Sequence, residues 1–259
     1  MGKTDRKALQ SELARLRGLE ESLHQHQIDP AKTGRISIFG YGSLPSNPHW
    51  PPSSVTAAFL SGWRRRFCCA CSGRGTQEFP GLTLGLEQDQ NAVVPGSVLH
   101  YGGLSVARLA DMLHVFADRE VPDMPIYRFG LARTETADGK TLLAVACFAD
   151  CESPYYRTGL SLTEKSQIIA MACGALGTCK DYLDRYVRRH VVKTGFDGHP
   201  SPRRDALLSD RDYFTALLQA VDQRRAEMRL TMPDYLAALE AREKDICLPQ
   251  SDDKSAALV

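Results

Sequence analysis

Nowhere in the sequence does an uncharged apolar run approach the roughly 18 residues expected of a membrane span. The N-terminal stretch also lacks the apolar core of a secretory signal. The expected location is therefore the cytoplasm. A dominant charge sign is missing too: 32 basic residues face 31 acidic ones, a net charge of +1. Such a chain has no long-range field with which to gather nucleic acid or anionic lipid. Its arginine clusters, Arg64-Arg65-Arg66, Arg188-Arg189 and Arg203-Arg204, read as solvated faces. The eight cysteines do not follow the regular spacing of a secreted disulfide scaffold, so reduced thiols are expected. Cys68 and Cys71 form one C-x-x-C with no second pair or histidine at metal-site spacing, and His190 and His199 lack the i, i+4 pairing of zinc proteases. No metal and no cofactor are expected. These exclusions leave a small molecule as the natural partner.

What is present is a globular composition, 43% hydrophobic over 259 residues, enough for one substantial core. Leu9, Leu13, Leu16, Leu19 and Leu23 recur at steps of three and four, which predicts an amphipathic helix over Lys7–His24. Spanning under three heptads, it is expected to pack on its own chain rather than in a coiled coil. Strands are predicted at 35–39, 57–60, 63–70, 82–86, 96–101, 126–134 and 141–148, the last two joined by a hairpin at Asp138-Gly139. A helix capped by Ser105 runs to Phe116, and helices are expected at 163–175, 178–192, 210–225 and 232–242, before a frayed tail over 249–259. Strands first and helices later make this an α+β protein. The expected organisation is an N-terminal helical extension (1–34), a central domain (35–192) and a C-terminal helical extension with its tail (193–259).

The segment carrying most information is Ile38-Phe39-Gly40-Tyr41-Gly42-Ser43-Leu44, a hydrophobic strand running into a glycine-rich turn. Glycines let backbone N–H groups face a bound anion or carbonyl. The Gly-Lys-Ser/Thr ending of a P-loop is absent, and Pro45 and Pro48 forbid the helix that a dinucleotide fingerprint requires.

Phe39–Leu44 resembles the Y-G-S-L loop of the γ-glutamylcyclotransferase superfamily. Further stretches fall in the order of its ChaC branch: Gly62-Trp63-Arg64-Arg65-Arg66-Phe67, Arg74-Gly75-Thr76 with Pro80-Gly81, Asp118-Arg119-Glu120 with Tyr127, and Ser153-Pro154-Tyr155-Tyr156. The resemblance covers Ile36 to His190, about three-fifths of the chain. It departs from the family where Pro45-Ser46-Asn47-Pro48 follows the loop and where Ser153 replaces the usual asparagine.

The resemblance implies a barrel-like sheet surrounded by helices, and a reaction in which the α-amino group of a γ-glutamyl unit attacks its own γ-amide. The products are 5-oxoproline and an amine, with glutathione the expected substrate. Other γ-glutamyl amines or dipeptides, and a non-catalytic γ-glutamyl-binding module, are the alternatives. The family match gives Glu120 the role of acid/base; read alone, it is an exposed helix-end carboxylate paired with Arg119. Tyr41, Gly42, Ser43 and Leu44 would hold the glutamyl end, although Tyr41 reads equally as packing beneath the loop. Tyr156 would contact substrate near Glu120, with Tyr155 its rival, and Arg74 would pair with a substrate carboxylate or orient the loop. Glu87 is expected on a polar turn and Glu135 on an exposed hairpin.

Overall fold

The computed structural model describes residues 3–121, 124–188 and 201–247. His190, His199, the expected boundary after Val192 and the tail Pro249–Val259 lie outside them. Five strands close into a barrel: β1 (Ile36–Gly40), β2 (Ser54–Cys71), β3 (Gly81–Tyr101), β4 (Tyr127–Thr136) and β5 (Thr141–Ala149), in the order β1-β3-β2-β4-β5. Every long pairing is antiparallel; closure comes from a parallel contact between Ile38 of β1 and Val145 of β5. A closed sheet leaves no free edge, and a barrel this small is filled by side chains.

The four predicted strands between 57 and 101 are two long ones. Gly62 adopts φ +83° and passes β2 through a bulge, with the register jumping from Ser61–Val93 to Trp63–Gln88. A residue with a Cβ is strained at that φ, which is why the bend falls on glycine. The expected turn at Glu87–Asn91 is corrected accordingly. Glu87 sits in strand β3 opposite Arg64, is buried, and receives hydrogen bonds from Arg64 Nε (3.1 Å) and the Tyr156 hydroxyl (2.8 Å). Polarity signalled a loop, but paired burial holds a strand. Glu135 is likewise part-buried within β4, opposite Thr141. The Asp138-Gly139 hairpin forms as expected, with Gly139 at φ +79°.

The predicted N-terminal helix divides into α1 (Lys3–Arg15) and α2 (Leu19–Gln25) at Gly18, whose φ is +89°. All five leucines are buried in the core that also holds barrel residues, so these helices pack on their own chain. Arg17 anchors them by donating to Asp150, and Ser22 Oγ accepts from Leu131 N at 2.8 Å. A short α3 (Pro30–Thr33), capped by Asp29, leads into β1.

Helix α4 (Val106–Glu120) starts at the predicted Ser105 cap, buries Leu109, Met112, Leu113 and Phe116, and ends on Glu120 itself. Helix α5 (Leu162–Met171) has a complete Ser161–Glu164 capping box and stops short of the predicted end, where Cys173-Gly174 (β6) and Gly177-Thr178 (β7) form a small ribbon. Helix α6 (Cys179–Tyr186) follows under a Thr178 cap. The two expected C-terminal helices are longer: α7 (Ser201–Thr231) and α8 (Pro233–Cys247).

Phe214, Leu217 and Val221 of α7 are buried in the common core. Asp210 of the same helix forms an ion pair with Arg65 of β2, which is only 2% exposed. Removing one partner of a buried pair leaves the other charge uncompensated. Asp210→Ala is therefore expected to lower unfolding free energy by about 3–5 kcal/mol. Glu227→Ala, which breaks the surface pair with Arg224, should change it by less than about 0.5 kcal/mol. Urea unfolding midpoints compare the two; equal effects would remove the structural role given to the buried pair.

Candidate active site

Two connected hollows open where β1 ends. The inner one is a cup of about 40 Å³ lined by the backbone turn Gly40–Leu44 together with Leu84, Glu120, Tyr127, Cys147 and Tyr182. The outer one is a cleft of about 540 Å³, sharing Ser43, Glu120, Tyr127 and Tyr182 with the cup and reaching Arg74 and Arg185. The cleft's volume lies within the roughly 300–1,000 Å³ usual for small-molecule sites. Leu44–Ser46 form a single 3-10 turn. Gly40 sits so close to that turn that a Cβ would lie 2.7 Å from the Pro45 ring, so the strand can enter the turn only through glycine.

Arg119 fastens the loop to the helix that carries the carboxylate. Its Nε donates to Glu120 Oε1 at 2.6 Å, Nη2 to Ser43 Oγ at 2.8 Å and Nη1 to the Asn47 carbonyl at 2.5 Å. Glu120 thus does pair with Arg119, as its residue-level reading implied, yet its side chain is only 18% exposed and faces both hollows. A second arginine holds the loop from below: Arg65 Nη1 donates to the carbonyls of Tyr41 (3.1 Å) and Pro95 (3.3 Å), and its other end reaches Asp210. Arg65 also stacks on Tyr186 and Phe214, with its guanidinium carbon 5.2 and 5.6 Å from the ring centres.

The cup walls are tied down in the same way. The buried Tyr41 donates its hydroxyl to the Cys147 carbonyl at 2.8 Å, so its side chain packs beneath the loop at the wall of the cup. Tyr127 donates to the Leu84 carbonyl at 2.6 Å. Desolvation pushes both hydroxyls well above the ordinary tyrosine range and raises the Cys147 thiol likewise. The Tyr182 ring meets Phe67 edge-on at 5.7 Å and lies under Arg74, whose guanidinium is 4.9 Å from the ring centre. The chain crosses closely just after Arg74, where a Cβ on Gly75 would collide with the backbone of Gly81 and Phe79.

The structure therefore brings Tyr41, Gly42, Ser43, Leu44, Glu120 and Arg74 around one connected space. It does not bring Tyr156 there. That hydroxyl donates to Glu87, and Tyr156 bridges to Cys69 on β2, lining neither hollow. Tyr155 also lines neither; its carbonyl accepts from Ala70 N at 2.8 Å. Tyr182 and Arg185 of α6, which no sequence motif singles out, also line this space. Cys71 borders the outer cleft, while Cys68 is buried beside Cys69 with its thiol pushed up. Among the described residues, no group of three or more His, Cys, Asp or Glu could hold a metal.

Comparison with known proteins adds a family context. A family model described as ChaC-like protein matches residues 36–210. A curated protein of Escherichia coli strain K12, the glutathione-specific gamma-glutamylcyclotransferase, is 31% identical over 163 residues, covering 62% of this chain and 68% of that protein. Gamma-glutamylcyclotransferase 2-1 of Arabidopsis thaliana is 29% identical over 154 residues, covering 56% and 69% respectively. The crystal structure of a yeast glutathione-specific γ-glutamyl cyclotransferase superposes with a TM-score of 0.59 at 17% identity, covering 73% of this chain and 96% of that one. At that identity the likeness speaks for the fold.

The buried hydroxyls give the site a measurable pH signature. For Tyr41, Tyr127, Tyr182 and Tyr186 burial raises the folded-state pKa above the unfolded value of about 10. Their contribution to stability is present in full below about pH 10 and is lost as pH rises toward the folded-state values, because only the unfolded chain releases the protons. Unfolding free energy should fall above about pH 10, with tyrosinate absorbance from these residues appearing only as the chain unfolds. Full tyrosinate absorbance from a still-folded protein would contradict the burial.

Proposed function

The chain belongs to the ChaC-like protein family, and we propose that it is a γ-glutamylcyclotransferase acting on glutathione, with Glu120 as its proton carrier. The observation that supports the reading is the sharing of one small cup by the Gly40–Leu44 turn and the Glu120 side chain. A γ-glutamyl head placed there lies between the Gly40–Leu44 turn and the Glu120 carboxylate.

Glu120 removes a proton from the substrate's α-ammonium, so that nitrogen gains a free pair and attacks the γ-carbonyl carbon. The carbonyl's π electrons move onto oxygen, where N–H groups of Tyr41, Gly42, Ser43 and Leu44 stabilise the charge. As the carbonyl re-forms, the bond to the cysteinyl nitrogen breaks and Glu120 returns its proton to that nitrogen. The α-nitrogen's second proton ends on the released amine, so 5-oxoproline and Cys-Gly leave with no water consumed. Because nucleophile and electrophile belong to one molecule, holding the glutamyl chain folded supplies much of the acceleration. Tyr182, which shares the cup, takes the place first given to Tyr156, and Arg74 faces the outer part of the substrate.

The chemistry sits in the 35–192 unit, with the described helices on either side of it, α1 and α2 before and α7 and α8 after, as braces. Such an enzyme works in the cytoplasm, where glutathione is kept reduced; among the described residues no helix is long and apolar enough to cross a membrane.

Glu120→Gln preserves shape but cannot cycle a proton. Its 5-oxoproline output from glutathione should fall by at least about 100-fold, with calorimetric glutathione affinity retained. Near-normal output would refute the role of Glu120. A panel of glutathione, γ-glutamyl dipeptides and γ-glutamyl-lysine should rank glutathione first; a higher kcat/KM for γ-glutamyl-lysine would reassign the substrate.

A further inference from the structure

The outer cleft holds an imbalance of charge that the cyclotransfer chemistry does not use. Its carboxylates are matched: Asp118 pairs with Arg15 at 2.5 Å and Glu120 with Arg119 at 2.6 Å. Two further guanidiniums, Arg74 and Arg185, line the same cleft. Arg185 is held by Asp181 of the same helix, Nη2 to Oδ2 at 2.5 Å and Nε to the backbone carbonyl at 3.4 Å, with its side chain 39% exposed. Asp181 is itself buried beneath the cleft, its N–H bonded to the Thr178 cap at 3.1 Å.

Arg74 donates to the Leu176 carbonyl and stacks on Tyr182, but among the described residues it has no carboxylate partner. Burial holds it below the ordinary guanidinium range, and the nearby positive charge of Arg185 lowers it further. Two guanidiniums with one carboxylate between them leave one positive charge unbalanced, partly desolvated and facing an open space. A single anion would relieve both the repulsion and the desolvation.

We propose that Arg74 and Arg185 form a carboxylate-recognition subsite for the end of the substrate remote from its γ-glutamyl head, with Arg185 as a specificity-determining residue. This rests on the cyclotransferase reading and names what the enzyme selects: γ-glutamyl peptides ending in a free carboxylate. Planar guanidiniums suit a carboxylate better than any other small anion of peptide origin, since each offers two parallel N–H donors. The Asp181 contact fixes Arg185 in advance, so little rotamer freedom is lost on binding. The two residues beyond the γ-amide of glutathione span about 7 Å when extended, a length that the 540 Å³ cleft accommodates. γ-Glutamyl amines without a terminal carboxylate leave the extra charge unpaired and are disfavoured for that reason.

The test compares kcat/KM for glutathione with that for its glycyl ethyl ester, in the wild type, Arg185→Met and Arg185→Lys. The ratio is read within one preparation, so partial misfolding cancels. The wild type should prefer glutathione by about tenfold or more, Arg185→Met should erase the preference, and Arg185→Lys should keep part of it. Equal use of both compounds by the wild type, or an undiminished preference in Arg185→Met, overturns the subsite. If neither compound yields 5-oxoproline, the cyclotransferase reading fails separately. Calorimetric binding of the two compounds to Glu120→Gln protein then still decides the subsite: a preference of about tenfold supports it, and equal affinities or no binding overturn it.

Discussion

One guanidinium joins the two halves of this site. Arg119 reaches back from the last turn of α4 to Ser43 and Asn47 while holding its neighbour Glu120. Loop and carboxylate come from segments about eighty residues apart in sequence, and without that link each would be positioned only by its own element. Charge-assisted bonds are about twice as strong as neutral ones, and the fork geometry of arginine lets three partners be held at once. The cup is thus built by a contact that neither the strand nor the helix supplies alone.

Around that link the barrel acts as a frame. Closure through Ile38 and Val145 sets the end of β1 beside β5, where Tyr41 spends its hydroxyl on the Cys147 carbonyl. Arg65 then ties the Tyr41 carbonyl to α7 through Asp210, so a helix at the C-terminal margin of the family match supports the turn near its N-terminal margin. The N-terminal helices add a comparable tie at the same site, where Arg15 meets Asp118 just before Glu120. The flanking helices are part of the same packed body as the barrel.

Much of this was legible in the residues. Alternating and branched segments marked the strands, Ser105 marked a helix start, and the glycine-rich turn after Ile38 marked the candidate site, because local geometry demands those residue types. What stayed hidden depends on contacts distant in sequence. Glu87 looks like a loop residue until Arg64 is seen to pair its charge and Tyr156 to donate to it within a strand. Gly62 falls between two predicted strands and Gly18 inside one predicted helix, yet the first is a bulge within a continuous strand and the second a division between helices, which only the packed chain reveals. Tyr182 and Arg185 carry no motif; α6 delivers them to the cleft through the β6–β7 ribbon, which no periodicity announces. Tyr156 illustrates the converse, since a motif match alone did not fix which side of the barrel its hydroxyl would face.

The proposed reaction requires the γ-glutamyl head to lie in the cup between the Tyr41–Leu44 turn and position 120. A crystal structure of the Glu120→Gln protein with glutathione bound measures it directly. The substrate's α-nitrogen should lie within about 2.6–3.2 Å of the residue 120 side chain. A glutamyl head docked instead against Glu87 and Tyr156, with the cup empty, would contradict it.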